Sequence, residues 1–292
     1  MKPRVLLIID TAGWCFNNIA NQIVKAFSDR YDFEIVIKVP EAGLTADVAL
    51  VFWWKTALLN IQKERLHVKR LAVGMYDHWS IPAMPHEVAR LIPHVDCFYV
   101  ANDKLATDIR LRAPDTPIYV TEDGVDCNLF PVQPLPAEFT VGWTGNRVYK
   151  SMGLGDYKGC KLIEEACHVT DLPIVIQDKQ KTQFSLDQMA SKFYQKISCY
   201  VCASVAEGGP NPVLEALACG RSVVSTDVGI VSKVAKRSSG AVIVVDRTLK
   251  GIAEGIFQAK QMGDCSQQAR ESVAPWDWKE NVKSFAPVLG GI

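Results

Sequence analysis

The stretch Glu207-Gly-Gly-Pro-Asn-Pro-Val-Leu-Glu215-Ala-Leu-Ala-Cys-Gly220 follows a predicted strand and opens a predicted helix. Gly208 and Gly209 permit close approach of the backbone, Asn211 can cap the helix, and Pro212 suits its first turn. We therefore expect free backbone amides at a helix N-terminus, which is an end that attracts phosphate.

Two carboxylates flank this predicted anion site, Glu207 before the helix and Glu215 within it. Carboxylates only accept hydrogen bonds, so beside a phosphate they suit the hydroxyls of a sugar. The pattern therefore indicates a phosphorylated sugar as ligand. The alternative is a Gly-Pro turn that enters an ordinary helix with two solvated glutamates, and that interpretation would be preferred if the turn stood alone.

Short apolar runs alternate with helix-like segments on both sides of this stretch. The opening run Arg4 to Asp10 is followed by a helix-like pattern from Ile19 to Phe27. Buried strands alternating with helices imply an α/β protein with parallel, doubly wound sheets. Further strands are predicted at Phe33–Val39, Val48–Trp53, Arg70–Met75, Cys97–Ala101, Pro117–Thr121, Phe139–Trp143, Pro173–Gln177, Cys199–Ala203, Ser222–Thr226 and Ala241–Val245, with helices at Lys161–Cys167 and Val213–Ala218.

A proline-rich segment divides the chain. Residues Pro131 to Pro136 break any helix or central strand, because proline removes a backbone donor and restricts its predecessor. We expect one Rossmann-like domain at 1–134 and a second at 135–272. Open parallel sheets bind ligands beyond the carboxyl ends of their strands, so two such domains are expected to face a central cleft.

Composition excludes several classes of protein. The 292 residues are 48% apolar and 22% charged, close to globular averages. Lys and Arg number 14 against 16 Asp and Glu in residues 1–130, and 18 against 16 in the remainder, so nucleic-acid binding has no support from charge. The sequence contains no apolar run of membrane-spanning length and no signal-like start, which favours a cytoplasmic protein.

The nine cysteines are scattered through regular segments, which suits reduced thiols. The close pair Cys199 and Cys202 lacks a second pair or flanking histidines, so buried core thiols are the preferred interpretation over a zinc or redox site.

The segment from Glu207 to Glu215 resembles the E-x7-E signature of retaining GT-B glycosyltransferases, especially glycosyltransferase family 4. The following residues Ala216–Gly220 and Ser222–Gly229 are similar to the helix, strand and glycine turn that close the donor site in that family. The resemblance implies that Glu207 contacts the transferred sugar and that Glu215 binds the nucleotide ribose. It also implies that the amides near Gly209 to Val213 meet the diphosphate or the sugar.

A second motif supplies the cations. Val141-Gly-Trp-Thr-Gly145-Asn-Arg147, with Tyr157-Lys158-Gly159 further on, resembles the family's glycine-rich strand end and basic pair. Two fixed cations would stabilise a departing diphosphate. Lys158 is the firmer assignment, and either Arg147 or Lys150 supplies the second charge. A surface location is the alternative for each.

The ends of the domains also resemble the family. Glu122–Phe130 is similar to the segment that closes the first domain, with Asp123 in place of the usual asparagine. Ser272 to Phe285, with Pro275-Trp-Asp-Trp278, resembles the family's C-terminal helix, which implies that residues 273–292 cross back to the first domain.

The first half offers fewer signals. The loop after the opening strand contains only Gly13 and no G-x-G-x-x-G, which argues against a nicotinamide-dependent dehydrogenase. Gly13 is expected to let the loop approach the transferred sugar. His78 resembles the family's acceptor-side histidine, and a structural histidine bonded to Asp77 is the equal alternative. Trp53 and Trp54 can stack on an acceptor, although core packing is expected for at least one of them.

The basic run Lys63 to Arg70 is expected to form a solvated helix face, and contact with anionic lipid or nucleic-acid phosphate is the alternative.

The resemblance implies retention of anomeric configuration, with the donor phosphate helping to deprotonate the acceptor. The sequence contains no Asp-x-Asp, so we expect no metal and no cofactor besides the nucleotide-sugar donor, with UDP-glucose as the default. The acceptor is open, and the alternatives include a soluble acceptor and one reached by peripheral membrane contact. The alternative functions are a non-catalytic nucleotide-sugar-binding protein and a DNA-base-modifying glycosyltransferase with a modified nucleotide as acceptor. The expected catalytic residues are Glu207, His78, Lys158 and Arg147, and the expected donor-binding residues are Gly13, Gly145, Gly208, Gly209, Pro210, Asn211, Pro212, Val213 and Glu215.

Overall fold

A computed structural model describes residues 1–78, 80–147 and 155–290. The chain divides into two compact units. The first unit comprises Met1–Asp123 together with the C-terminal segment that begins at Lys279, and the second comprises Gly124–Trp278.

The first unit contains a six-stranded parallel sheet in the order β2-β1-β3-β4-β5-β6. Val5, Leu6, Leu7 and Ile8 of the first strand are all buried, as expected for a strand covered on both faces. The strands are β1 (Arg4–Ile8), β2 (Asp32–Val36), β3 (Leu44–Val51), β4 (Leu66–Met75), β5 (Cys97–Val100) and β6 (Ile118–Val120).

Helices cover this sheet through apolar stripes. In the first helix, Ile19, Ala20, Ile23 and Phe27 are buried, at the three- and four-residue spacing of one helix face. The helices of this part of the chain are α1 (Cys15–Phe27), α2 (Trp54–Gln62), α3 (Ser80–Ala83), α4 (Pro85–Leu91) and α5 (Asp103–Arg110).

The second unit contains a five-stranded parallel sheet in the order β11-β10-β9-β7-β8. The strands are β7 (Val141–Gly145), β8 (Ile174–Asp178), β9 (Cys199–Cys202), β10 (Ser222–Ser225) and β11 (Val242–Val244). The helices are α6 (Cys160–Val169), α7 (Leu186–Lys192), α8 (Asn211–Ala218), α9 (Val231–Ala235), α10 (Leu249–Met262) and α11 (Ser266–Ser272), and α12 (Trp278–Asn281) begins at the last residue of the unit. The two parallel sheets with their helices confirm the predicted α/β fold class.

The chain passes from the first unit to the second between Asp123 and Gly124, whereas the sequence predicts the boundary at the prolines near 134. Val125, Cys127 and Phe130 lie in the same apolar cluster as α8 and α11. In addition, Arg270 donates hydrogen bonds to the carbonyl oxygens of Phe130, at 2.7 Å, and Cys127, at 2.9 Å. These contacts hold residues 124–130 in the second unit.

The C-terminal segment leaves the second unit after Trp278, and not at residue 273 as the sequence predicts. The Val125 amide donates to the Trp276 carbonyl at 2.8 Å, so residues up to 278 remain with the second unit. From Lys279 onward the chain packs in the first unit, where the Phe285 ring lies 5.9 Å from that of Tyr99. The Arg70 side chain also donates to the Val288 carbonyl at 3.1 Å.

The prediction of a helix over Lys63 to Arg70 is wrong. Helix α2 ends at Gln62, Glu64 takes a positive φ of 53°, and β4 begins at Leu66. The strand extends here because Leu66 and Val68 pack against the core of the first unit. Lys69 forms an ion pair with Asp47 at 2.8 Å across this strand pair.

Burial separates the cysteines into two groups. Cys15 at the start of α1 is exposed, and the other eight are buried. Burial raises the pKa of the Cys199 thiol to about 12. Cys199 and Cys202 lie within β9 in the core, in agreement with their interpretation as core thiols.

In the parts of the chain that the structure describes, helices of bilayer-spanning length and apolarity are absent.

Candidate active site

The second sheet has a topological switch point. The chain passes from β7 outward to β8 and then returns past β7 to β9, so the strand order reverses between β7 and β9. Ligands of open parallel sheets bind outside the carboxyl ends of the strands at such a point. The loops that follow Gly145 at the end of β7 and Cys202 at the end of β9 carry Arg147, Lys158 and Glu207.

Lys158 is held by its backbone against the loop after β9. The Trp143 indole donates to the Lys158 carbonyl at 3.2 Å, and the Val205 amide donates to the Tyr157 carbonyl at 3.0 Å. The next residue, Gly159, has φ +73°, and a Cβ there would meet the Ala203 carbonyl oxygen at 2.4 Å. Only glycine fits this approach, so the glycine fixes where the lysine lies.

Lys158 and Glu207 form an ion pair through Nζ and Oε1. The Ser204 hydroxyl donates to the same carboxylate oxygen at 2.6 Å. The two charged side chains are 22% and 14% exposed, so the pair remains reachable from solvent. The Thr226 hydroxyl bonds the Ser204 carbonyl at 2.8 Å and thereby ties this loop to the end of β10.

The start of α8 differs in detail from the prediction. The helix begins at Asn211 with Pro210 at the N-cap, so the expectation that Asn211 caps the helix is wrong. The Asn211 amide donates to Gly209 at 2.9 Å, and the Val213 amide donates to Pro210 at 2.8 Å. The two prolines carry no N–H. Among the described residues, the Gly209 amide is therefore the one donor from 209 to 213 that is not bonded to a backbone carbonyl.

Gly229 brings a second loop onto this turn. It has φ +56°, and a Cβ there would meet Pro210 Cδ at 2.7 Å and the Gly208 carbonyl oxygen at 2.9 Å. The glycine-containing turn after β10 therefore lies directly against the Gly-Pro turn. At the neighbouring strand end, the Lys179 amide donates to the Gly145 carbonyl at 2.9 Å.

Glu215 lies half-buried on α8. The Tyr194 hydroxyl donates to its Oε2 at 2.6 Å. Burial raises the pKa of the Glu215 carboxyl, and the nearby Lys179 charge and the Tyr194 hydrogen bond oppose that rise. Sequence reasoning did not identify Tyr194 or Lys179, because no motif links residues this far apart in the chain.

Arg147 contacts an acid on the neighbouring helix. Its guanidinium is paired with Glu164 of α6, and this hydrogen bond raises the pKa of Arg147. Its role as a diphosphate cation therefore stays a prediction. The competing residue, Lys150, lies outside the described residues.

In the first unit, the loop after β1 is open at Gly13. This residue has φ +75°, and a Cβ there would meet no atom within 4 Å. The Gly13 amide donates to the Asn17 side chain at 2.8 Å.

The His78 ring, 10% exposed, faces groups of the first unit. Its Nε2 lies 3.3 Å from Asn102 Nδ2, and its Nδ1 lies 3.9 Å from Asp108 Oδ2. Asn102 Oδ1 accepts the Leu105 amide at the start of α5, so the Asn102 amide nitrogen faces the ring and donates to Nε2.

The tryptophans after β3 have different environments. Trp54 is 1% exposed and belongs to the core, whereas Trp53 is 38% exposed. Trp14, in the loop after β1, is 48% exposed. The Lys55 ammonium lies 5.6 Å from the Trp53 ring centroid. Core packing of one member of the pair agrees with the sequence analysis.

Residues 171–260, which include the site from Glu207 to Gly229, match the family described as glycosyl transferases group 1. The match covers part of the second unit, and the two parallel α/β sheets have the GT-B fold of the solved structures described next. No curated protein sequence matches the chain.

Solved structures with a similar fold cover nearly the whole chain. A sucrose-phosphate synthase from Thermosynechococcus elongatus matches with a TM-score of 0.75 at 12% identity, covering 99% of this chain and 98% of that one. Anabaena HepE in complex with UDP and glucose matches with a TM-score of 0.71 at 13% identity, covering 99% and 100%. A glycosyltransferase from Rickettsia africae matches with a TM-score of 0.64 at 11% identity, covering 100% of both chains.

Proposed function

We propose that this protein is a family 4 enzyme that transfers a hexose from a nucleotide-sugar donor to a hydroxyl acceptor, with retention of configuration and without a metal ion. The observation that carries the proposal is the paired Lys158 and Glu207 at the switch point of the second sheet. A fixed cation and a fixed carboxylate, side by side, suit a diphosphate attached to a polyhydroxylated ring.

The proposed roles follow from the chemistry of each group. Glu207 accepts hydrogen bonds from hydroxyls of the transferred sugar, and Glu215 accepts them from the ribose. Lys158 and the Gly209 amide lie near the diphosphate, where positive charge stabilises the departing group. Gly145 and Gly208 are proposed to let the backbone approach the donor, and Gly229 lets the turn after β10 lie against the Gly-Pro turn.

In the proposed reaction, the bond between the anomeric carbon and the phosphate oxygen breaks through an oxocarbenium-like transition state. A new bond forms between that carbon and the acceptor oxygen, and the acceptor proton passes to an oxygen of the departing phosphate. The charge on the leaving group is met by Lys158, with Arg147 as a second cation if it leaves Glu164.

UDP-glucose is the proposed donor because HepE, which has a similar fold, was solved with UDP and glucose and also with UDP-glucose. Metal independence is supported by the absence of Asp-x-Asp from the sequence.

The test is a calorimetric screen of nucleotide sugars in excess chelator, followed by measurement of nucleotide release with each ligand that binds. The expected result is saturable binding of a UDP-sugar and slow release of UDP without an acceptor. Binding with neither release nor transfer to any acceptor would favour a non-catalytic nucleotide-sugar-binding protein. No binding by the folded protein would refute the proposal.

A further inference from the structure

The residue that holds Glu215 lies outside the motifs of the sequence. Tyr194 follows α7 in a short 3-10 helix from Tyr194 to Lys196, and its side chain is fully buried. Its hydroxyl donates to Glu215 Oε2 at 2.6 Å. Among the described residues, Oε1 of the same carboxylate accepts no hydrogen bond, so it is the oxygen left for a ligand.

The Tyr194 ring is fixed on several sides. The rings of Phe193, Phe130 and Tyr200 lie 5.0, 5.8 and 6.5 Å from it, all at steep angles. The backbone is fixed as well, because the buried Arg221 donates through Nε to the Tyr194 carbonyl at 2.9 Å. A hydroxyl on so constrained a ring has one position to occupy, and a carboxylate bonded to it loses most of its rotational freedom.

We infer that Tyr194 is a positioning residue for the donor: its buried hydroxyl fixes the Glu215 carboxylate so that Oε1 meets the ribose hydroxyls. The inference rests on the proposed function, since it assigns Glu215 to the ribose. Tyr194 does not touch the donor in this scheme and acts only through Glu215.

The charge of Glu215 depends on the groups around it. Lys179 and Tyr194 lower the pKa of the carboxyl, against the effect of burial. Burial raises the pKa of Tyr200 on β9 and of Cys219 after α8, and the nearby Glu215 charge adds to the rise in each. Only an ionised carboxylate offers both oxygens as acceptors, to Tyr194 and to the ribose. Donor affinity is therefore expected above the Glu215 pKa and is lost as the pH falls through it.

The experiment measures UDP-glucose affinity by calorimetry for the full chain and for Tyr194→Phe. Phenylalanine keeps the packed ring and removes one oxygen, so the variant is expected to fold, which thermal melting checks. We expect affinity to fall about tenfold, the effect of losing a hydrogen bond to a charged group. Because the Glu215 pKa rises without this bond, the loss of affinity on acidification should begin at a higher pH than in the parent protein.

Two further variants separate positioning from general disturbance. Tyr200→Phe removes another buried phenol from the same core, and it should leave UDP-glucose affinity within about twofold of the parent. In a double-mutant cycle, Tyr194→Phe should have no further effect once Glu215→Ala is present. Additive losses would overturn the inference, because they would mean that Tyr194 acts independently of Glu215.

The outcomes distinguish this inference from the proposed function. If the parent protein binds UDP-glucose and Tyr194→Phe binds it equally at every pH, the inference is overturned and the donor site stands. If the folded parent binds no nucleotide sugar at all, the proposed function fails and the inference fails with it.

Discussion

At the carboxyl edge of the second sheet, Glu207 and Glu215 are each held by hydroxyl donors of the same unit. At the corresponding edge of the first sheet, the exposed large side chains are the indoles of Trp14 and Trp53. His78, which follows β4 at this edge, faces Asn102. The two units have similar folds, but their carboxyl edges differ. The edge of the second sheet presents fixed charged side chains, whereas the edge of the first presents exposed indoles, and the polar side chains near them bond to one another. From this difference we expect the second unit to supply most of the binding energy for the proposed nucleotide-sugar donor.

The largest effect is expected from Glu207→Ala, with a fall in kcat of about 10³-fold, because the group proposed to contact the reacting sugar is removed. Circular dichroism should show an unchanged fold. The matched control is Ser204→Ala, which removes the hydroxyl that donates to Glu207 but keeps the charge, and should cost about tenfold or less. A normal rate for Glu207→Ala would contradict the proposal that the charged groups of the second unit carry the reaction.

Lys158→Met should lower kcat by about 10²-fold, because the cation proposed to stabilise the departing diphosphate is lost while the length of the side chain is kept. Steady-state kinetics with a saturating donor measure this loss. Arg147→Met provides the comparison, since Arg147 is paired with Glu164. A larger loss for Arg147→Met than for Lys158→Met would reverse the assignment of the two cations.

Glu215→Ala should weaken UDP-glucose binding by about 30-fold with a smaller effect on kcat, because the proposed contact with the ribose exists in both the ground state and the transition state. Calorimetry gives the dissociation constant and single-turnover rates give the chemical step. A variant that kept its affinity and lost its rate would place Glu215 at the reacting sugar instead.

His78→Ala should leave donor affinity within about twofold and reduce transfer by about tenfold or less, because both ring nitrogens face protein groups in the first unit. Donor binding and acceptor turnover are measured separately. A loss as large as that of Glu207→Ala would show that the first unit contributes chemistry equal to that of the second.

The smallest effect is expected from the chelator. Transfer in excess chelator should equal transfer without it, because cationic side chains and backbone amides are proposed to neutralise the leaving group. Activity lost in chelator and restored by added magnesium would show that a metal shares the role given to Lys158.

Much of the fold was predictable because buried parallel strands are continuous apolar runs. The predicted strand at Cys199 to Ala203 and the helix at Val213 to Ala218 lie within two residues of β9 and α8. The run from Lys63 to Arg70 was wrongly predicted as a helix because most of its residues are charged. Within it, Leu66 and Val68 alternate with polar residues as in a strand, and both pack against the core of the first unit.

The site was predictable only where it is local in sequence. The Gly-Pro turn and its two glutamates stand in one stretch, so their chemistry could be inferred together. The bond between Tyr194 and Glu215 and the pair of Arg147 with Glu164 depend on how separate elements pack. No spacing rule indicates them, and the same holds for the Asn211 amide, which donates to Gly209 instead of pointing outward.

The distribution of thiols makes this protein convenient to label. Cys15 is exposed at the start of α1, while the other eight cysteines are buried, several of them with a pKa raised to about 12. Since only the thiolate reacts, a maleimide dye at neutral pH should attach to one position of the native chain without any mutagenesis. A fluorophore at that residue would sit in the loop region after β1, next to Gly13 and Trp14, and would report binding events at the carboxyl edge of the first sheet.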